Sequence, residues 1–367
     1  MSLHISLVKK AFEASWENTR SEPKRKLRGS KSELFCGGYD DIEKAVLSSI
    51  TGIKLGSFPT RYLGLPLNPS RISSATLQPF VERITAKLHS WTVKPLSFAG
   101  KIRLVASVVY GMVNFWSSVF VLPKSFYQKI DSLCAAFLWR NKTDSAAGAR
   151  VAWKDICRPK PEGGLGIRLL EDFALVFRLK LVWNFFTNTS SIWVAWVKRN
   201  MFGRKTFWMM EDSPRFSATL RSMLQLKDSL REYMRCEIGN GITASFWSDS
   251  WCELGPLLLY LGTGGPRALR LRLDASVNNA SRNGSWNLPS ARSQRVETLQ
   301  ITLTSLTPPS PAAGADRYLW IQANGDFGNT FSSRVTWDQI LLPLRLSTGT
   351  RWYGLKSKFR EALFSCG

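Results

Sequence analysis

The sequence predicts a mainly α protein: a helical bundle followed by a smaller α+β region with short hairpins. Three observations predict it. Apolar residues recur at helical spacing in three consecutive blocks, about 71–90, 97–121 and 124–140. Pro95 and Pro123 fall in the gaps between them, where a helix must stop. After Arg235 the texture changes to short apolar runs broken by Gly, Asn and Ser, which suits hairpins and loops.

Taken in order, residues 1–30 are poor in apolar side chains and close on a basic run, Pro23–Arg28, which reads as a flexible arm. Residues 31–70 begin with a short helix from Asp40 to Ser49, then pass through Pro59, Pro66 and Pro69 as an irregular connector. Residues 71–235 hold the three helical blocks. Ser97 is placed to cap the second and Lys124 follows Pro123 into the third. Arg150–Arg168 (RVAWKDICRPKPEGGLGIR) is a rigid connector, because Pro159 and Pro161 break any helix and Gly163, Gly164 and Gly166 allow a tight turn. A helix from about Leu169 to Thr187 follows, with shorter ones near 191–201 and 217–233.

Residues 236–306 read as a hairpin and loop-rich region. Gly239–Asn240–Gly241 would turn 236–238 back onto 244–247, and a helix runs near 292–306. Residues 307–315 (TPPSPAAGA) form a Pro-rich linker. Residues 316–367 form the last module: a hairpin of Tyr318–Gln322 with Phe327–Phe331, a helix over Ser332–Leu341 and a basic tail.

Charge narrows the partners. The chain has 50 Lys and Arg against 27 Asp and Glu in 367 residues, a net +23, which favours a polyanion. Six scattered cysteines without a CxxC pair, and only two histidines, write no zinc site and suit small core hydrophobes in a reduced compartment. No apolar h-region opens the chain, so a nuclear or cytoplasmic rather than a secreted protein is expected. Leu104–Leu122 is 19 residues without a charge, long enough to span a bilayer. Its polar Ser107, Asn114, Ser117 and Ser118 count against a span, and an apolar helix is also what a multi-helix core buries, so a buried core helix is the favoured reading. The fifteen tryptophans are read mainly as core, with base stacking as the rival use.

Chemistry is scarce. Tyr39–Asp40–Asp41 resembles a metal-binding aspartate pair, but it leads into a helix, where negative charge belongs in the first turn. Glu162–Gly166 is not a GxGxxG cradle, and no strand precedes it. A Ser/His/Asp relay can be written around His89, but one histidine on a basic helix is weak evidence for it, and Trp91 two residues on marks a packed helix end. No catalytic residue, no metal site and no cofactor is assigned.

Several segments, in order, carry a resemblance: Lys31–Phe35, Phe58–Leu67 (FPTRYLGLPL), Leu96–Lys101 (LSFAGK), Asn114–Trp116, Phe137–Trp139, Val151–Arg168, Gly239–Gly255 (GNGITASFWSDSWCELG) and Phe331–Trp337 with Trp352–Tyr353. Together they resemble the region after the palm in plant LINE-type (non-LTR) retrotransposon reverse transcriptases, from about Lys31 to Tyr353. The resemblance implies that Lys31–Phe35 ends the palm, that the helical region is thumb-like and grips template–primer, and that the C-terminal part leads to a zinc-binding module. Family activity would be RNA-directed DNA polymerisation. The aspartate pair of that palm is absent from this sequence, as are the Cys/His ligands after Tyr353, so a truncated, non-catalytic remnant is expected. It would retain non-specific electrostatic binding to the backbone of RNA, DNA or their hybrid through Lys94, Lys101, Arg103, Arg158 and Lys160. No small-molecule substrate is expected. The alternatives are a membrane-associated protein using Leu104–Leu122 and a translated pseudogene product without function.

Overall fold

The structure is a computed structural model that describes residues 32–36, 39–67, 72–143, 149–160, 163–187, 191–203 and 205–347, with side chains as far as residue 340. The basic arm, Trp352–Tyr353, Cys366 and the tail Leu355–Gly367 lie outside the described residues. The chain divides into two compact units, Met1–Phe80 and Val81–Gly367. It is mainly helical, with four small sheets among the described residues, as the apolar periodicity predicts.

In the first unit, β1 (Glu33–Leu34), α1 (Asp41–Thr51) and β2 (Lys54–Leu55) form a parallel strand–helix–strand unit, with Glu33 opposite Lys54. Gly56 follows β2 because an added Cβ would stand 2.5 Å from the Phe35 ring. Asp40 is the N-cap of α1. Its Oδ1 accepts from the Glu43 N–H at 2.8 Å while its own N–H donates to Glu43 Oε2 at 3.1 Å, a reciprocal capping box. Asp41 pairs with Lys44 at 2.8 Å. Both aspartates therefore start the helix. β3 (Thr60–Tyr62) and β4 (Leu65–Leu67) form a hairpin whose two turn residues, Leu63 and Gly64, both have positive φ, the tight turn that suits hairpin twist.

The unit boundary falls within α2 (Ser74–Thr92). In the second unit α2 is followed by α3 (Phe98–Leu104), a π turn over Val105–Val109, α4 (Tyr110–Val119) and α5 (Lys124–Arg140). Ser97 caps α3, its Oγ accepting from the Gly100 N–H at 3.1 Å. Pro123 precedes α5 and Asn141, with φ 53°, ends it. The short α6 (Trp153–Ile156) opens the connector into α7 (Leu170–Thr187).

The all-round apolar core helix is α7, not the segment 104–122. α4, α5, α9 (Ala218–Leu224), α14 (Ser333–Ser347) and strand β8 (Arg317–Ile321) all pack against α7. The α3–α4 stretch buries Val105, Val109, Tyr110, Val113 and Trp116 but leaves Phe115 and Val119 at 45% and 46% exposure. Its serines account for the difference. Ser117 Oγ reaches the buried Tyr127 hydroxyl at 3.1 Å, while Ser107 and Ser118 bond carbonyls of their own helix on exposed faces.

Beyond α7 come α8 (Ile192–Val197), α9 and α10 (Lys227–Tyr233), then β5 (Met234–Glu237). The expected hairpin of 236–238 with 244–247 does not form. β5 pairs instead with β8, Met234 opposite Trp320 and Glu237 opposite Arg317, and β9 (Phe327–Gly328) completes the sheet on the other side of β8. The physical reason is the Asp316 carboxylate, which gathers the Gly239–Ala244 loop around itself (below). The β8–β9 hairpin and α14 stand where the sequence puts them. Residues 262–295, rich in Gly, Asn, Ser and Arg and expected as long loops, contain α12 (Gly265–Leu269) after α11 (Leu257–Leu261), and a small hairpin of β6 (Ser281–Arg282) with β7 (Ser285–Trp286). They lead into α13 (Gln294–Thr304).

Among the described residues, two of the cores of this unit lie in its C-terminal part, in addition to the buried residues of α2–α6 such as Ile84, Leu88, Val109, Ile130 and Phe137. One joins Trp183, Phe185, Phe202, Phe207, Met223, Leu230 and Trp320; the other joins Phe246, Trp247, Trp251, Leu257, Val277 and Leu299. Most described tryptophans are core residues, Trp247 and Trp320 fully so, while Trp193 and Trp196 on α8 are 38% and 52% exposed. Cys134, Cys157, Cys236 and Cys252 are buried free thiols, as small hydrophobes would be.

Candidate nucleic-acid interface

The five residues assigned from sequence lie in two groups beside α5. Lys94 is exposed in the turn after α2, which is fastened to the end of α5 by the Asn141 Nδ2 donating to the Thr92 carbonyl at 2.6 Å. Lys101 and Arg103 lie on α3, which packs on α5 through Phe98 against Trp139 at 5.3 Å. Lys101 is half-buried with its ammonium 5.6 Å from the centre of the Phe137 ring, so part of its charge serves packing. Arg103 is exposed.

Arg158 and Lys160 follow α6, which packs on α5 and is tied to the start of α4 by the Tyr110 hydroxyl and the Cys157 thiol at 3.8 Å. The connector is a built turn. The Leu165 N–H donates to the Ile156 carbonyl at 2.9 Å and the Gly166 N–H to the Arg158 carbonyl at 3.0 Å. Gly164 lies directly against the Arg158 carbonyl, where any Cβ would collide. Arg158 pairs with Asp155 at 3.0 Å, and Lys160 is exposed with its stem against Gly166. Lys94, Arg103 and Lys160 have no ion-pair partner among the described residues. The structure thus places three of the five as free cations, one in an ion pair and one over a ring.

Burial pushes the Asp131 carboxyl on α5 up to about 7, and the charges of Glu171 and Asp172 add to this. The Trp153 indole beside it offsets part of the rise without reaching hydrogen-bonding geometry. Burial likewise holds the Cys157 thiol up at about 12, so it is no nucleophile at neutral pH.

One polar cluster was invisible in the sequence. Asp316 accepts from the N–H groups of Gly239 (2.9 Å), Gly241 (2.7 Å), Thr243 (2.9 Å) and Ala244 (2.9 Å) and from the Thr243 hydroxyl (2.9 Å). Burial alone would raise its carboxyl, but the donors from Ala244, Gly239, Gly241 and Thr243 hold it below its ordinary range. Asp249, wholly buried, accepts from the Trp208 indole (2.6 Å), the Ser245 N–H (2.7 Å) and the Tyr318 hydroxyl (3.2 Å); burial pushes it up to about 6. Eight donors converge on the two carboxylates, which identifies them as the structural staples of the loop. A signal existed: Gly239, Asn240 and Gly241 can present successive amides to one anion, but the anion lies 75 residues from Gly241. Among the described residues no group of three or more His, Cys, Asp or Glu could hold a metal ion.

No family profile matches the chain. Two plant proteins are similar to it. One, named "Putative ribonuclease H protein" in Arabidopsis thaliana, is 29% identical over 198 residues, 53% of this chain and 32% of that protein. The other, an "Uncharacterized mitochondrial protein" of Arabidopsis thaliana, is 26% identical over 148 residues, 40% of this chain and 93% of that protein. The chain therefore has plant homologues, and the match spans about a third of the length of the first.

Proposed function

We propose that this chain is a non-catalytic segment of LINE-type retrotransposon origin that binds the backbone of RNA, DNA or an RNA–DNA hybrid without reading sequence. The charge surplus carries this reading, with Lys94, Arg103 and Lys160 exposed and unpaired among the described residues. Phosphates need only Lys and Arg in reach, and unpaired cations meet them without first breaking an internal ion pair. The ordered motifs of the sequence and the name of the first plant relative support a transposable-element origin. Both aspartates of the Tyr39–Asp40–Asp41 motif are engaged in starting α1, so polymerase chemistry is not assigned to them.

Replacing Lys94, Lys101, Arg103, Arg158 and Lys160 together with Ala tests the proposal. Affinity for a labelled RNA–DNA hybrid should fall at least tenfold at low salt, and the slope of log K against log salt should flatten. Unchanged affinity and slope would remove these residues from the interface.

A second reading has one observation behind it. The helix Phe98–Val119 is long and apolar enough to cross a membrane, and Phe115 and Val119 are exposed on it. Resistance to carbonate extraction from plant microsomes would favour that reading over the first.

A further inference from the structure

Away from α5, a cavity of about 640 Å³ opens between α12 and the start of α13, lined by Arg267, Arg270, Arg292, Ser290 and Ser293. We infer that this cavity is a binding site for phosphoryl groups, with Arg267, Arg270 and Arg292 as its anion ligands.

The floor is rigid. Leu269 and Val296, at 2% and 5% exposure, belong to the core that holds Trp247. Gly265 lets α12 lie against that core, since a Cβ there would stand 2.9 Å from the Trp247 ring. Arg295 donates to the Tyr260 carbonyl at 3.1 Å and ties α13 to α11. Arg272 is engaged with Asp274 through two bonds of 2.8 Å. These two arginines serve the fold. Arg267, Arg270 and Arg292 differ: all are exposed, and none has a carboxylate partner among the described residues.

No acidic residue lines the cavity. Three like charges on one concave wall repel one another, and an anion seated among them offsets that repulsion. Guanidinium groups bind oxyanions through paired N–H bonds, and three of them offer more donors than one carboxylate can accept. A phosphoryl group, with several oxygens, matches that supply. Ser293, which caps the eleven-residue α13 by accepting from the Val296 N–H, lies on the same wall, and the preceding amides of Gln294 and Arg295 have no acceptor within the helix. The volume lies within the range of small-ligand clefts, about 300–1,000 Å³, and holds a diphosphate or a short stretch of nucleic-acid backbone.

The site is separate from the five residues beside α5, and its test reads independently of them. Binding of the full chain to pyrophosphate is measured by calorimetry, and to a labelled 20-nucleotide RNA by anisotropy. Two variants of equal charge loss are compared: Arg267, Arg270 and Arg292 to Gln, and the exposed Arg199, Arg215 and Arg282 to Gln. Matching thermal melts establish that both fold. The first variant should lose at least tenfold in affinity for one or both ligands, and the second less than twofold. Loss for RNA alone assigns the site to the phosphodiester backbone; loss for pyrophosphate alone assigns it to a free phosphate compound. Equal losses in the two variants, or no binding of either ligand by the wild type, would overturn the inference.

Discussion

Asp131 is the residue at which solution conditions act most directly on stability. It sits on α5 with Oδ1 unbonded, and burial pushes its carboxyl up to about 7. The folded state therefore holds a proton that the unfolded state has lost by about pH 4, where an ordinary aspartate ionises. Stability from this group is fully present below about pH 4 and declines as pH rises toward 7. At about 1.4 kcal/mol per pKa unit the loss is a few kcal/mol at most. Asp131→Asn removes the titrating proton, so urea melts of the variant should lack this decline and show higher stability than wild type at pH 8. A parallel decline in both proteins would place the titration elsewhere. The sequence places Asp131 on a helix but gives no sign of this burial, because Glu171 and Asp172 approach it from α7. Asp40 is the opposite case: a cap acts within four residues, and Asp40–Glu43 can be read directly as a helix start.

At the scale of elements, boundaries set by local chemistry were legible and pairings over distance were not. Pro123 and the apolar spacing behind it fix Lys124–Arg140, and Ser97 marks the start of α3. The turn residues of the β8–β9 hairpin lie between its own strands. β5 is different, because its partner lies some 80 residues away at Arg317–Ile321, and the turn residues next to it pointed to a local hairpin instead. The strand that holds this part together is β8. Trp320 on it is wholly buried, edge-on to Trp183 at 5.7 Å, stacked on Tyr233 at 5.8 Å and against Phe331 at 4.9 Å. Its indole N–H donates to the Thr336 hydroxyl at 2.9 Å. Trp320→Ala leaves a large cavity and an unpaired hydroxyl among α7, α10 and α14, and should cost about 3–5 kcal/mol in urea unfolding. A loss under 1 kcal/mol would mean that β8 is not the strand around which these helices pack.

For the molecule as a whole, the candidate interface was legible in residue type and only partly in role. Lys94, Arg103 and Lys160 are the exposed cations that the sequence suggests, whereas Lys101 is drawn over Phe137 and Arg158 to Asp155, contacts made by the folded chain. The arginine cavity was not legible, since Arg267 and Arg270 fall in a stretch read as loops and Arg292 at the start of the helix read near 292–306, and they line one cavity only when α12 and α13 pack on one core. The proposed activity is electrostatic, so salt tests it most directly. The measurement is binding of the full chain to a labelled RNA–DNA hybrid from about 50 to 200 mM salt, with deoxynucleotides and magnesium added in a parallel primer-extension reaction. Several phosphate contacts predict a straight fall of log K with log salt, steeper than about −3, and no extension. Salt-independent binding, no binding by the folded protein, or any extension of the primer would contradict the account.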